Sequence, residues 1–126
     1  MYSAKIKEST IKMSPKQAIA FKDVSNAVKL DSEVDSEGSS YIIPKVKGYV
    51  VLDIHNDKSE RPDYENYVIV DENDGKYVTG SPSFWQNFMD IYNEMAAYPD
   101  EEWGIEVYKL PSKNYRDKFF LTCSIY

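Results

Sequence analysis

Residues 64–95 read YENYVIVDENDGKYVTGSPSFWQNFMDIYNEM, and this stretch decides the fold. Tyr64 to Asp71 places Tyr, Tyr, Val and Ile in a strand-like run. Glu72-Asn73-Asp74-Gly75 follows, and an Asp-Gly pair between apolar runs is among the strongest local signs of a β-hairpin. Lys76 to Thr79 is then the returning strand. Ser81-Pro82 opens a helix, with Ser as the cap and Pro at the first helical position. Phe84, Phe88, Ile91, Tyr92 and Met95 recur at steps of three and four, which makes one apolar stripe. Trp85 falls off that stripe, and a packing role is expected for it.

Working outward, Tyr41 to His55 is apolar and β-branched, but Pro44 and Gly48 interrupt it. It reads as a bent strand or two short ones. Asn56 to Asp63 is a turn-rich loop. After the helix, Tyr98-Pro99-Asp100 is a stop, Trp103 to Lys109 alternates as a strand, Leu110 to Asp117 is a loop, and Phe119 to Ile125 is a final strand. Upstream, Tyr2 to Ile11 is a strand. Ser14-Pro15-Lys16-Gln17 starts a short helix to about Phe21, with a restart expected near Val24–Val28. Asp31 to Ser40, DSEVDSEGSS, reads as an acidic loop.

From Tyr41 the expected order is strand, strand, strand, helix, strand, strand. That is the element order of an OB-fold, so the fold class expected is mainly β with one central helix, as an OB-like five-stranded barrel over 41–126. Residues 1–40 are then an N-terminal extension of short strand, short helix and acidic loop. The alternative is an α+β sheet with one packed helix.

The composition fits a globular chain: of 126 residues, 42% are apolar and 29% charged. No run approaches the roughly 18 apolar residues of a membrane span, and the opening residues lack an apolar leader core, so no membrane association and a cytoplasmic location are expected. Charge is segregated. Residues 1–30 carry six Lys against two acids, +4; residues 31–108 carry five basic and eighteen acidic residues, −13; residues 109–126 carry four basic and one acidic, +3. Such asymmetry points to a polyanion site at the ends or a cation-seeking surface in the middle.

Few residues offer catalysis. One Cys excludes an internal disulfide and a Cys-based zinc site. Cys123 alternates with Leu121 and Ile125, as a small core hydrophobe would. His55 has no partner His and is read as structural. Two acidic series mimic the start of a calcium loop, but the position needing a bidentate Glu is Ile42 in one and Pro82 in the other. No Ser-His-Asp spacing or glycine-rich phosphate loop occurs. The chain is expected to be no enzyme, with no metal and no cofactor.

The suggestive constellation is YKLPSKNYRDKFF, residues 108–120. It combines Tyr108, Lys109, Lys113, Tyr115, Arg116 and Lys118. A cationic groove with aromatic platforms is how single strands are held, and the loop between the last two strands is a usual OB contact. Tyr67 and Tyr77 extend the stacking surface, and Lys45 and Lys47 are further phosphate contacts. The bland reading is a solvated loop with Phe119 in the core.

The stretch from VIVDENDGKYVTGSPSFWQNFMDIYNEM through WGIEVYKLPSKNYRDKFFLTCSIY resembles small phage and prophage proteins of Gram-positive bacteria. It is also similar to the OB-fold single-stranded-DNA-binding proteins those elements encode. The resemblance implies a single-stranded nucleic-acid-binding module of a phage or mobile element. It lacks their Gly/Pro/Gln-rich acidic tail. The competing expectation is an acidic counter-defence inhibitor, whose Asp53, Asp57, Glu60, Asp63, Glu65, Asp71, Glu72 and Asp74 would occupy a basic groove of a host protein. A third is a homodimer paired through the apolar strand FFLTCSIY.

Overall fold

A computed structural model describes residues 2–35, 38–112 and 118–126. The described residues form eight strands and three helices: β1 (Tyr2–Ser9), α1 (Pro15–Phe21), β2 (Val28–Lys29), α2 (Leu30–Glu33), β3 (Ser40–Ile43), β4 (Val46–Asn56), β5 (Asp63–Asp71), β6 (Lys76–Thr79), α3 (Pro82–Met95), β7 (Ile105–Pro111) and β8 (Phe119–Ile125). The fold is mainly β. The strands make a five-stranded sheet, β1-β4-β5-β6-β2, and a three-stranded one, β3-β7-β8, neither closed into a barrel. The chain divides into two compact units, 1–28 with 47–80 and 29–46 with 81–126. The first 40 residues are thus shared between them, β1 and α1 in the first unit and α2 in the second.

In the first unit the period-2 pattern assigns faces. Ala4 and Ile6 of β1, Val50, Leu52 and Ile54 of β4, Tyr64 and Val68 of β5 and Val78 of β6 pack in one apolar cluster. Ile11, Met13, Phe21, Val24 and Ala27 close onto it. Each fully buried aliphatic side chain contributes about 1.5–3 kcal/mol. α1 starts at a capping box: Ser14 Oγ accepts from the Gln17 amide at 3.2 Å, and Gln17 Oε1 accepts from the Ser14 amide at 2.9 Å. It ends at Phe21, and the expected restart near Val24 is instead a single turn, with the Ala27 amide bonded to the Val24 carbonyl at 3.0 Å.

β4 runs through Gly48 without a break, because there Thr10 crowds the backbone: Thr10 Oγ1 accepts from the Tyr49 amide at 2.8 Å, and a Cβ on Gly48 would strike that oxygen. Pro44, in contrast, does divide the run, leaving β3 and β4 in different sheets. The β5–β6 hairpin forms as the Asp-Gly pair requires. Asp74 adopts φ 64, and the Asp71 amide bonds the Gly75 carbonyl at 3.0 Å.

In the second unit the acidic stretch after Asp31 is not all loop. α2 covers Leu30–Glu33, because Leu30 and Val34 are completely buried and one helical turn aligns them. α3 begins where Ser81 Oγ accepts from the Phe84 amide at 3.3 Å. Phe84 and Phe88 are fully buried, and Trp85 stacks on Phe88 at 5.2 Å, which gives it the packing role expected. α3 lies along β8: Ser83 Oγ donates to the Leu121 carbonyl at 3.0 Å, and Asn87 Nδ2 to Thr122 Oγ1. β8 is an edge of its sheet, and Ser83 takes up one of its carbonyls. β7 pairs antiparallel with both β3 and β8. It starts at Ile105, two residues later than expected, and the reciprocal backbone bonds of Gly104 and Tyr126, at 2.9 and 3.3 Å, carry the β7–β8 pairing one residue further.

Candidate functional site

The residues expected to hold a nucleic acid fall in both units. In the first unit Tyr67 is 7% exposed, and its hydroxyl donates to Glu65 at 3.3 Å. Burial comes first in holding its phenol above the usual range, with the nearby Glu65 adding to it. Tyr77 donates to Asp71 Oδ2 at 2.6 Å. Lys47 Nζ pairs with Asp74 at 3.0 Å. In the second unit Lys45 pairs with Glu102 at 3.5 Å, Tyr108 shares a hydrogen bond with Ser124, and Lys109 Nζ donates to the Asp31 carbonyl at 3.4 Å. Lys118 is exposed. Lys113, Tyr115 and Arg116 lie outside the described residues. Six of the seven described candidates, all but Lys118, are thus engaged within their own unit. A ring that is to carry a base must present a bare face, and a lysine that is to meet a phosphate must first leave its carboxylate.

Five of the eight acids named for a docking surface, Asp57, Asp63, Glu65, Asp71 and Asp74, are also partnered within the first unit. Lys7 Nζ pairs with Glu65, and Lys5 stands opposite Asp53 in the β1–β4 register. His55 Nδ1 lies 2.7 Å from Asp63 Oδ1, and His55 Nε2 lies 2.6 Å from Asp57 Oδ1. Lys5, Lys7, Asp53, His55, Asp63 and Glu65, with Ser3 and Tyr64, surround an open cavity of about 560 Å³. Hydrogen bonds donated to Asp63 first, then to Asp57, raise the imidazole pKa above its usual value. With a carboxylate on each nitrogen, both contacts are hydrogen bonds when the ring is protonated, and in that form it offers no lone pair to a substrate or a metal. Asp71 is spent on its own turn, accepting at Oδ1 from the Gly75 and Asn73 amides at 2.7 and 2.9 Å.

A second group of exposed acids lies in the second unit. The first unit holds nine basic and ten acidic residues, net −1; the second holds six and eleven, net −5. Asp90, Glu94, Asp100, Glu101 and Glu102 are exposed along the end of α3 and the turn after it. Asp90 and Glu94 are like charges one helical turn apart, a pair that disfavours the helix by a few tenths of a kcal/mol. Glu94 also sits in a last turn that has no basic residue, against the helix dipole. Among the described residues only Glu102 of these five has a cation within ion-pair distance. Sequence reasoning passed over this segment, although the spacing of Asp90 and Glu94 without an intervening base and the run Asp100-Glu101-Glu102 were both legible.

Among the described residues no group of three or more His, Cys, Asp or Glu is placed to hold a metal ion, and no helix is long and apolar enough to cross a membrane. Comparison with known proteins finds no matching family model, no matching curated protein and no matching solved structure.

Proposed function

We propose that this protein is a non-catalytic binding module whose second unit docks on a basic surface of a partner protein. The observation that supports the reading best is the contrast in engagement. Six of the seven described cations and phenols suited to a nucleic acid are held by neighbours in their own unit, while Asp90, Glu94, Asp100 and Glu101 stand exposed with no cation paired to them among the described residues. Complementary charge of this kind steers encounter and sets register more than it adds affinity. A host protein that handles nucleic acid would carry the matching basic groove, which is how the counter-defence role enters.

The test compares the wild-type chain with a D90N/E94Q/D100N/E101Q variant, each immobilised and exposed to bacterial lysate at low and moderate salt. A basic protein retained by the wild type, released by salt and lost from the variant is the expected result. Unchanged circular dichroism shows that the variant is folded. The overturning result is binding of a labelled single-stranded oligonucleotide at low salt that disappears in a K113Q/R116Q/K118Q variant, since phosphate contacts are strongest there.

A further inference from the structure

A second hollow, in the first unit, has a different chemistry from the exposed acids. Its floor is apolar, formed by Ile11, Met13, Phe21 and the buried Val70. Its rim carries Lys12, Lys47 and Lys76, with Asp74 the one carboxylate among the lining residues. The space is about 350 Å³, within the range of small-ligand sites. Lys76 Nζ stands 5.0 Å from the centre of the Phe21 ring and donates to the Asp23 carbonyl at 3.1 Å. The cation and the ring therefore hold one another in place at the mouth. Lys47 is tied to Asp74 at 3.0 Å, but that carboxylate is 76% exposed, so water can take over its charge when another anion arrives. Lys12 is exposed.

Three lysines to one carboxylate around an apolar floor depart from the first unit as a whole, which holds nine basic and ten acidic residues. Were the hollow a gap left by imperfect packing, its rim would follow the composition of the rest. We infer that this hollow binds a small amphiphilic anion, with its apolar body against Phe21, Ile11, Met13 and Val70 and its anionic head among Lys12, Lys47 and Lys76. The head is a carboxylate, sulfonate or phosphate, since ammonium donors serve all three as point charges. A cationic or zwitterionic ligand would meet the rim with the wrong sign. The inference is independent of the proposed partner surface, which lies in the second unit.

The probe is 8-anilinonaphthalene-1-sulfonate, an aromatic body with one anionic head, titrated into the full chain by fluorescence. Its neutral relative N-phenyl-1-naphthylamine has the same body and no head. The expected result is saturable one-site binding of the sulfonate, about tenfold tighter than the neutral compound. A K12Q/K76Q variant should lose that preference, and K12Q alone, which touches only an exposed side chain, should weaken the sulfonate and leave the neutral compound unchanged. Amide resonances of Ala20, Phe21 and Val70 should shift on binding. Decanoate and adenosine monophosphate as competitors distinguish an alkyl carboxylate from a nucleotide, and displacement by either supports the site. Equal affinity for the charged and neutral probes, shifts confined to other residues, or displacement by neither competitor would overturn it.

Discussion

Asp63 Oδ1 lies 2.7 Å from Nδ1 of His55, and the ring bridges from there to Asp57, so one imidazole holds both ends of the β4–β5 connection. Donation to both carboxylates needs both nitrogens protonated. When the proton leaves, one contact becomes a lone pair facing a carboxylate. The folded imidazole therefore has a raised pKa, with Asp63 the leading cause. The linked stability is fully present below the unfolded value near 6.5 and is lost as pH rises through the raised folded value. An NMR titration of the His55 ring should show a midpoint above 6.5, and Asp63→Asn should lower it more than Asp57→Asn does. A midpoint at or below 6.5 in the wild type would remove the clamp.

Gly104 and Gly80 predict opposite responses to the same added methyl group. A Cβ on Gly104 would overlap the carbonyls of Ile43 and Pro44, which are backbone and cannot turn aside. A Cβ on Gly80 would meet Asn66 Oδ1 at 3.5 Å, an ordinary contact. Gly104→Ala should cost roughly 2–3 kcal/mol in urea unfolding, as overpacking does, and Gly80→Ala should stay within about 0.5 kcal/mol of the wild type. Equal midpoints for the two variants would show that β3 and β7 are not held as close as described.

What the sequence discloses here is local. The capping Ser14 and Ser81, the Asp74-Gly75 turn and the helix stripe through Phe88 each depend on residues within a few positions, and each appears where the pattern puts it. The pairing of strands does not. Tyr41–Ile43 and Val46–His55 look alike as strings, yet β3 pairs with β7 and β4 with β1. A period of two tells which face a side chain takes but not which neighbour its strand takes. The candidate site shows the same limit. Tyr67 and Tyr77 are suited to stacking by type, and only the fold reveals that Glu65 and Asp71 already hold their hydroxyls. Val34 is fully buried within an acidic run, Asp31 to Ser40, whose composition reads as loop, and Leu30 is fully buried just before it.

Cys123 is 6% exposed on β8, opposite Val107 of β7, and burial pushes its thiol up to about 12. The reactive species is the thiolate, so the native protein should react with Ellman's reagent at pH 8 only as fast as it opens. In denaturant one thiol per chain should react at once. Fast reaction of the native chain would place Cys123 outside the core.

Asp71 gives the last and most local prediction. Burial would raise its pKa, but hydrogen bonds from the Tyr77 hydroxyl and the Gly75 and Asn73 amides outweigh it and hold the carboxyl low. A lowered folded pKa means stability that is present above the unfolded value near 3.9 and lost as pH falls through the folded one. Asp71→Ala removes three acceptor contacts from one turn, that of the Tyr77 hydroxyl among them. The group is partly exposed, so water replaces some of what is lost, and the cost expected is about 1–2 kcal/mol in urea unfolding at neutral pH. The decisive feature is the pH dependence. The gap between Asp71→Ala and the wild type should narrow as acid titrates the carboxylate, and Tyr77→Phe, which deletes only the hydroxyl donor, should reproduce part of that narrowing. A gap that stays constant across the acid range would show that the turn is held by its backbone alone and that the carboxylate is incidental to it.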